Sequence, residues 1–537
     1  MMKELAHRGP DGKGTFFDDQ IALGHTRLAI LDLSERGKQP MTDGDHTIVF
    51  NGEIYNYLEL KELLFLQGER FVSNTDTEVL LKIWKRIGND SMCNGMWAYA
   101  IWDSRFKKLT LSRDQFGIKP LYYFKYDDAT VFASEVKALV KVYPKMTGEN
   151  PEVNIMKIAN FFANIKMEHT KDTFIENIYK LPTFYTPPTS SYYSGGTVQR
   201  FKEILEHSID IRMRSDVEIG SCLSGGLDSS SIVCSLMKND GIEQMHTFSA
   251  CYDDPTIDER PYMHEITDGN DKIIPHEVFP SMETLRKDMD KLIYYQDEPF
   301  ETTTILAQWC VMKEAKKQKI KVLLDGQGAD EILAGYIRYK WLVSKRPQDR
   351  IRGLLWKSTK LRSEYRKWRE WDVPREAWKD ISYPSMEQHG TLLNRKLNED
   401  VVMSLPRLLR YEDRNSMAHG IEARVPFLDF KLVDYCFHLG DEWKINDGRT
   451  KHILRESMKG ILPEKIRQRK DKIGFWTPHK LWMDELKEDI ESAVDEFKLF
   501  DGRRYFDDYY KKGKDYQYTL WKIYHLSKWI PMFTEGV

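Results

Sequence analysis

The stretch SCLSGGLDSSSIV, residues 221–233, has the residue types and the spacing of an anion-binding turn. Apolar residues before and after it predict a strand that ends at the turn and a helix that begins there. At such a junction, unpaired backbone N–H groups and the helix dipole bind anions, and Gly225 and Gly226 leave room for a phosphate. The hydroxyls of Ser224 and Ser229 add donors. The turn therefore predicts a phosphate site for a nucleotide.

Asp228 is the unusual member of this turn, since its carboxylate would repel bound phosphates unless a divalent cation lay between them. We therefore expect Mg²⁺ at this position. The Walker pattern requires a lysine that does not follow this turn, and the dinucleotide pattern G-x-G-x-x-G is missing. A helix-capping turn without a ligand, in which Ser and Gly are common for backbone reasons, is the remaining alternative.

A second loop rich in glycine and acidic residues, LLDGQGADEILAGY at residues 323–336, follows a later predicted strand. Its carboxylates, Asp330 and Glu331, would lie beside the first loop if both strands belong to one parallel sheet, because ligands bind at the carboxyl ends of such strands. We predict that Asp228 and Asp330 are the Mg²⁺ ligands. The alternative is a helix start at which the dipole favours acidic residues.

Strands and helices alternate from residue 198 onward, which predicts an α/β domain with a parallel sheet covered by helices. The predicted strands are VEIGSCL, MHTFSAC, KIIPHEV and IKVLLD. The predicted helices are FKEILEHSIDIRM, a helix after the first glycine turn, and a helix over residues 282–293. This order places both glycine-rich loops at strand ends.

The first half of the chain has a different pattern. Alternating segments such as HTIVF and WAYAIWD predict stacked antiparallel sheets. Residues 181–197 contain several Pro, Gly and hydroxyl residues, which is typical of a linker. We therefore predict one domain over residues 1–180 and a second over residues 198–537.

The composition excludes several classes of protein. A length of 537 residues is enough for two or three domains, and a net charge of −3 gives no general attraction to nucleic acid or to an anionic membrane. Six cysteines without a C-x-x-C pair indicate a reducing cytoplasm, and no apolar run is long enough to span a membrane. Residues 338–369 mix basic and aromatic residues, as a single-strand nucleic-acid groove does. We favour exposed helices there and predict no nucleic-acid partner.

Five motifs of the second half are LSGGLDSS, DGQGADEILAGY, DRNSMAHGIEARVPFLD, KHILRESMKGILP and RKDKIGF. The first resembles the pyrophosphate-binding loop of the N-type ATP pyrophosphatases. All five, in this order, resemble the glutamine-dependent asparagine synthetases, and the similarity covers nearly the whole chain. The resemblance implies that ATP and Mg²⁺ serve to adenylate aspartate, that ammonia displaces AMP, and that asparagine, AMP and diphosphate are released. It implies a cytoplasmic enzyme with small-molecule substrates, and a homodimer is left open.

The resemblance also assigns residues to the nucleotide. Leu223 and Ala250 would flank the adenosine, and Asp325 and Gly326 would lie near it. Together with the first glycine turn, these residues form the predicted ATP site, which is the part of the chain that would carry the adenylation.

Lys472 and Glu331 are the predicted catalytic residues, and by the resemblance Lys472 stabilises charge on the transferring phosphates. The family commonly has Glu in S-G-E-G-x-D-E, where this chain has Gln327, and an amide cannot act as a base. Two alternatives to aspartate amidation therefore stay open. One is amidation of another carboxylate, such as a sugar acid, a peptide or a β-amino acid, and the other is a non-catalytic homologue.

Seven motifs of the first half are similar to those of class II glutamine amidotransferase domains, whose fold is an Ntn-type α+β sandwich: HRGPDG, GHTRLAILDLS, QPM, VFNGEIYNY, SNTDTEVLL, GMWAYAIWD and LSRDQFGIKPLYY. Carried over by motif, Asn51 and Gly52 form the oxyanion hole. Arg27 would pair with the α-carboxylate of glutamine and Asp76 with its α-ammonium group. The resemblance therefore implies a source of ammonia in this half.

The nucleophile of such domains is a cysteine at the mature N-terminus, and no counterpart precedes HRGPDG in the printed sequence. Cys93 lies within a different motif and is not that residue. We expect either a sequence truncated at its start or a real loss of glutaminase chemistry. The expected nitrogen source is glutamine for the complete protein and ammonia for this chain.

Overall fold

Five parallel strands form the sheet of the C-terminal half. Across the sheet they are Ile273–Val278, Met245–Ala250, Ile219–Cys222, Val322–Leu324 and Glu422–Arg424. The first of them in the chain, Ile219–Cys222, is the central strand, so the strand order reverses between it and Val322–Leu324. A crevice opens at the carboxyl ends of two strands at such a reversal, and ligands bind there. The predicted parallel sheet is confirmed, and the four predicted strands all belong to it.

The computed structural model describes residues 1–163, 168–183, 185, 197–239, 241–343, 390–470, 477–497, 499 and 501–534. The predicted helices are present as Val198–Ile211, Leu227–Leu236 and Met282–Gln296. The other helices described in this half are Arg260–Thr267, Ile305–Lys317, Ala329–Ile332, Ile337–Val343, Leu392–Met403, Leu405–Met417, Phe430–His438, Asp441–Lys444, His452–Ser457, Glu464–Arg467, His479–Glu485, Lys487–Glu496, Arg503–Tyr510 and Gln517–Thr534, with a 3-10 turn at Pro426–Leu428 and a short pairing of Ile445–Asn446 with Arg449–Thr450.

Both faces of the parallel sheet are buried. Leu324 packs into the large cluster that contains the helix Leu227–Leu236, whereas Leu323 and Phe248 pack into a second cluster with the helix Ile305–Lys317. The strand Val322–Leu324 is a continuous buried apolar run, which is typical of a strand covered on both faces. The fifth strand, Glu422–Arg424, was not predicted because it has three residues and two of them are charged.

The N-terminal half is a sandwich of antiparallel sheets, as predicted. One sheet has the strands Met41–Asp43, His46–Ile54, Gly95–Asp103 and Lys108–Arg113 in that order. The other pairings join Gly12–Phe17 with Ala22–Arg27, and Tyr122–Tyr126 with both Ala129–Ala133 and Tyr179–Lys180. The helices are Tyr57–Leu66, Asp76–Ile87, Val136–Val140, Tyr143–Thr147 and Ile155–Ala163, with a 3-10 turn at Glu35–Gly37.

Side chains alternate across the central strand Gly95–Asp103 of this sandwich. Tyr99 and Ile101 pack with the helices on one side, whereas Ala100 and Trp102 pack with residues of the other strands. This alternation is the period-2 pattern that predicted the strand. The strand His46–Ile54, which carries Asn51, pairs with this strand along its length.

Buried ion pairs join the two halves. Arg8 donates to Asp413 at 2.8 and 3.0 Å and to Glu135 at 2.7 Å. On the other side of the interface, Arg424 lies 3.2 Å from Glu53. Breaking a buried ion pair is costly, so these contacts stabilise the association of the two halves.

Three predicted features lie wholly or mostly outside the described residues. Of the predicted linker, only residues 181–183, 185 and 197 are described, and of the basic and aromatic segment only residues 338–343, which belong to the helix Ile337–Val343. Lys472 also lies outside the described residues. Within the described part of the chain, every helix is too short or too polar to cross a membrane.

Candidate active sites

The first glycine-rich turn connects the central strand to the helix Leu227–Leu236, as predicted. The backbone N–H of Ser224 donates to Ser229 Oγ at 3.1 Å, and the backbone N–H of Gly226 donates to Ser224 Oγ at 3.3 Å. Gly225 has a φ of +67°, and a Cβ there would lie 2.7 Å from the Cβ of Tyr262. Only glycine fits this bend at low cost. The donors predicted to bind phosphate thus converge at the N-terminus of a helix.

A cleft opens beside this turn, at the reversal of strand order. Five predicted ATP-site residues line it, namely Leu223, Ser224, Ser229, Ala250 and Asp325. The predicted residues Gly225, Gly226, Asp228 and Gly326 are not part of its lining. Sequence reasoning missed an apolar set that lines the same cleft: Phe248, Tyr252, Ile257, Ala307 and Val311. Apolar walls with a few polar groups at one end suit a nucleobase with its phosphates.

The two predicted metal ligands come together around one lysine. Lys451 Nζ lies 2.6 and 2.5 Å from the carboxylate oxygens of Asp228 and 2.6 Å from Asp330 Oδ1. Close packing of the two loops depends on glycine. A Cβ at Gly326 would lie 2.9 Å from the Cβ of Asp228, and one at Gly335 would overlap both Asp330 Oδ1 and Lys451 Cε. The sequence predicted that the loops meet, and the structure confirms it.

Lys451 was missed by sequence reasoning, although it lies in the quoted motif KHILRESMKGILP. It is buried, and burial lowers its pKa while the Asp228 carboxylate raises it. Among the described residues no group of three or more His, Cys, Asp or Glu could hold a metal ion. Two carboxylates are nevertheless enough for Mg²⁺, which takes one or two from the protein and completes its shell with phosphates and water. Asp228 and Asp330 therefore fit that ion.

Glu331 lies behind the cleft rather than in it. It is in the first turn of the helix Ala329–Ile332, is 1% exposed, and accepts a hydrogen bond from the Tyr336 hydroxyl at 2.5 Å. Burial raises its pKa. This environment suits a side chain that positions its loop, and the direct role predicted for Glu331 stays a prediction.

In the N-terminal half, the predicted oxyanion hole lies on the buried strand His46–Ile54. Asn51 Nδ2 is a buried donor without a hydrogen-bond partner among the described residues. Gly52 has a φ of +149°, and a Cβ there would overlap the carbonyl oxygen of Met96. A buried amide donor without a partner is costly, and a developing oxyanion would satisfy it.

Asp76 begins the helix Asp76–Ile87 and accepts a hydrogen bond from the backbone N–H of Ile54 at 2.8 Å. Burial raises the pKa of Asp76 to about 7, although this hydrogen bond opposes the shift. Arg27 lies at the end of the strand Ala22–Arg27, and its guanidinium donates to the carbonyls of Ser34 at 2.7 Å, of Leu31 at 3.3 Å and of Asp32. An α-carboxylate bound by Arg27 would share these donors with the backbone.

A family model described as "Asparagine synthase" matches residues 200–531, and one described as "Glutamine amidotransferase domain" matches residues 1–193. The chain belongs to the asparagine synthetase family, whose members carry out ATP-dependent amidation. Its predicted fold class is thereby confirmed in both halves.

Curated relatives agree along most of the chain. It is 30% identical over 561 residues to asparagine synthetase [glutamine-hydrolyzing] 1 of Bacillus subtilis, covering 92% of this chain and 86% of that protein. Asparagine synthetase [glutamine-hydrolyzing] 3 of the same organism is 28% identical over 527 residues, with 88% and 82% covered. A putative asparagine synthetase [glutamine-hydrolyzing] 2 of Methanocaldococcus jannaschii is 34% identical over 379 residues, with 63% and 72% covered.

Proposed function

We propose that this protein is an asparagine synthase, which uses ATP to adenylate aspartate and then transfers ammonia to the activated carboxylate. The observation that carries the proposal is the cleft at the strand-order reversal, where an apolar wall meets the Ser224 turn. Beside that turn, Asp228, Asp330 and Lys451 form one charged cluster. A nucleobase, a triphosphate and its cation need these three environments in this order.

A free carboxylate is a poor acyl donor, because an attack on it would have to expel oxide. Adenylation makes AMP the leaving group instead. The aspartate carboxylate attacks the α-phosphorus of ATP, the bond to the bridging oxygen breaks, and diphosphate leaves with the electron pair. Ser224, Ser229 and the backbone of the turn hold the departing phosphates, and Lys451 offsets the charge that develops on them. Lys472 is proposed as a second cation. Mg²⁺, held by Asp228 and Asp330, would neutralise phosphate charge when it is bound.

Nitrogen is proposed to come from glutamine in the complete protein and from ammonia otherwise. Asn51 and Gly52 would stabilise the oxyanion formed when the amide is attacked, and Asp76 and Arg27 would hold the amino-acid end of glutamine. The support for this assignment is the partnerless Asn51 amide, which is placed beside a glycine that no other residue can replace without overlap.

A second candidate function is favoured by Gln327. This residue takes the place of a family Glu and lies between Gly326 and Gly328 in the second loop. If that position selects the acceptor, the substrate is a carboxylate other than aspartate. The two candidates are separated by the acid on which diphosphate release by the unchanged protein depends, which is aspartate for the first candidate and another carboxylic acid for the second. Efficient turnover of another acid, with little asparagine formation, would favour the second candidate.

The proposed function is tested by aspartate-dependent release of diphosphate from Mg·ATP with ammonium chloride as the nitrogen source. Asp228→Asn and Asp330→Asn should each abolish the release, because each removes a proposed metal ligand, and both variants should fold. Asp290→Asn is the matched control, since the carboxylate of Asp290 is 74% exposed on the helix Met282–Gln296. Near-normal turnover by either cleft variant at limiting Mg²⁺ would contradict the metal assignment.

A further inference from the structure

Two carboxyl groups face each other beneath the ATP cleft. Asp325 lines the cleft at the end of the strand Val322–Leu324, and Glu412 approaches it from the helix Leu405–Met417. Glu412 is 2% exposed, and both of its carboxylate oxygens lack a hydrogen-bond donor among the described residues. Two such groups can share a hydrogen bond only if one of them carries a proton.

The surroundings of the pair favour this shared proton. Cys222 and Gln308 face Asp325, and the charged groups that face Glu412 are Asp325, Lys119 and Asp413. Burial and the Asp325 carboxyl raise the pKa of Glu412 well above its usual range, and burial also raises the pKa of Asp325. Two buried carboxyls in contact repel each other when both are ionised, so the pair is suited to share one proton and to accept a second.

A short chain of contacts connects the pair with the proposed glutamine site. The backbone N–H of Asp325 donates to the carbonyl of Arg424 at 2.9 Å, and the Arg424 guanidinium lies 3.2 Å from Glu53. Glu53 follows Gly52 of the proposed oxyanion hole and is itself buried. The Asp325–Glu412 pair is thus the point at which the interface between the halves reaches the floor of the ATP cleft.

Resting on the proposed function, we infer that the Asp325–Glu412 pair accepts a proton from ammonium as it enters the cleft. Ammonium gives one proton to the pair, which becomes neutral, and the nitrogen keeps the electron pair of that bond. Ammonia attacks the acyl carbon, the bond from that carbon to the AMP phosphate oxygen breaks, and AMP leaves with the electrons. The second proton lost on forming the amide goes to water. Gln327 cannot perform this role, since an amide does not accept a proton at neutral pH.

The inference is tested with two nucleophiles. Glu412→Gln keeps the size of the side chain and removes its ability to accept a proton. With ammonium chloride, aspartate and Mg·ATP, its kcat should fall about 100-fold, which is the usual contribution of a general base. Hydroxylamine is uncharged at neutral pH, so the variant should form the hydroxamate at a rate within about threefold of that of the unchanged protein. Its rate of diphosphate release without ammonium should also stay within about threefold. Raising the pH should partly restore the ammonium reaction, because more free ammonia is present.

Asp288→Asn is the matched control, because Asp288 is equally buried in the same half but pairs with Lys313 and Trp309 away from the cleft. Asp288→Asn should change the rates with ammonium and with hydroxylamine by the same factor. Equal losses with ammonium and hydroxylamine in Glu412→Gln would overturn the inference and mark a structural role. Infrared spectroscopy gives a second readout without substrate: the carbonyl band of a protonated carboxyl should be lost in Glu412→Gln and kept in Asp288→Asn. If the unchanged protein releases no diphosphate with aspartate, the proposed acceptor fails, while the infrared band still tests the pair.

Discussion

Lys451 sets the charge balance beside the proposed ATP cleft, because its ammonium group lies between Asp228 and Asp330. Its backbone φ of +55° is rare for lysine, which places strain at the start of the helix His452–Ser457. A side chain held at such a cost, next to two carboxylates predicted to bind Mg²⁺, indicates a functional position. The pairing is also a means of keeping the carboxylates together before ATP and its cation arrive.

Lys451→Ala should therefore destabilise the protein in a way that depends on Mg²⁺. Without the cation, the two buried carboxylates repel each other, and breaking a buried pair costs about 3–5 kcal/mol. Added Mg²⁺ should recover part of this loss, since it binds the folded arrangement. Urea unfolding with and without Mg²⁺ measures both effects. The control is Lys465→Ala, whose exposed pair with Glu265 should contribute about 1 kcal/mol or less and show no response to Mg²⁺. A Mg²⁺-independent loss in Lys451→Ala would contradict the shared site.

Asp76 gives a pH-dependent prediction. Its pKa is raised to about 7 by burial, so the carboxyl is protonated below that pH and ionised above it. Only the ionised form pairs with the α-ammonium group of glutamine. The dissociation constant for glutamine should therefore rise about tenfold per pH unit as the pH falls below about 7, and level off above it. Calorimetric titration at several pH values measures this, and Asp76→Asn should bind weakly at every pH. Affinity that is flat across this range would remove Asp76 from the glutamine site.

Among elements, the short helix Ala329–Ile332 and the segment after it bring the second loop against the first. Gly335→Ala should separate them, because a Cβ there overlaps Asp330 Oδ1 and Lys451 Cε. We expect diphosphate release to fall at least about tenfold, with a stability loss of about 1–3 kcal/mol from overpacking. Gly12→Ala is the control, since an added Cβ there meets nothing closer than 3.7 Å. Normal release by Gly335→Ala would show that the loops tolerate displacement.

Much of this architecture could be predicted from sequence because local signals and tertiary structure agree. Gly225 and Gly226 follow the strand Ile219–Cys222, and Gly326 follows the apolar strand Val322–Leu324, so the ends of both strands could be predicted. The fifth strand, Glu422–Arg424, has no such signal, since its two charged residues are buried through an ion pair with each other and through the pair of Arg424 with Glu53.

The site was predicted less completely for a related reason. Polar residues with unusual spacing are conspicuous in a sequence, so Asp228 and Asp330 could be predicted as site residues from the sequence. The apolar side chains that line the cleft, such as Phe248 and Val311, look like ordinary core residues in the sequence. Glu412 is similarly hidden within a helix that could be read as solvent-facing, because its environment depends on a contact with Asp325 that spans more than eighty residues.

At the scale of the whole molecule, we predict that the two halves unfold as one cooperative unit because Arg8 links them. Arg8→Ala leaves Asp413 and Glu135 without this cation, and loss of one member of a buried pair costs about 3–5 kcal/mol. Thermal unfolding should split from one transition into two, or shift strongly to lower temperature. Arg214→Ala is the matched control, since it crosses the same interface to Glu59, which is 54% exposed, and should cost about 1 kcal/mol or less. Equal effects of the two variants would contradict the role of burial.

The buried ion pairs across this interface limit how such a protein can be recombined. Amidotransferase and ATP-binding halves look like interchangeable modules, yet Arg424 and Asp413 have counter-ions that belong to the other half. A chimera that took its first half from a distant relative would lose the cross-interface partners of these charges unless the donor supplied matching residues, although Arg414 and Glu422 of the same half would stay beside them. Shuffling of whole domains is therefore penalised, and the two halves are expected to diverge together, with substitutions at Glu53 or Arg8 matched by compensating changes at Arg424 or Asp413.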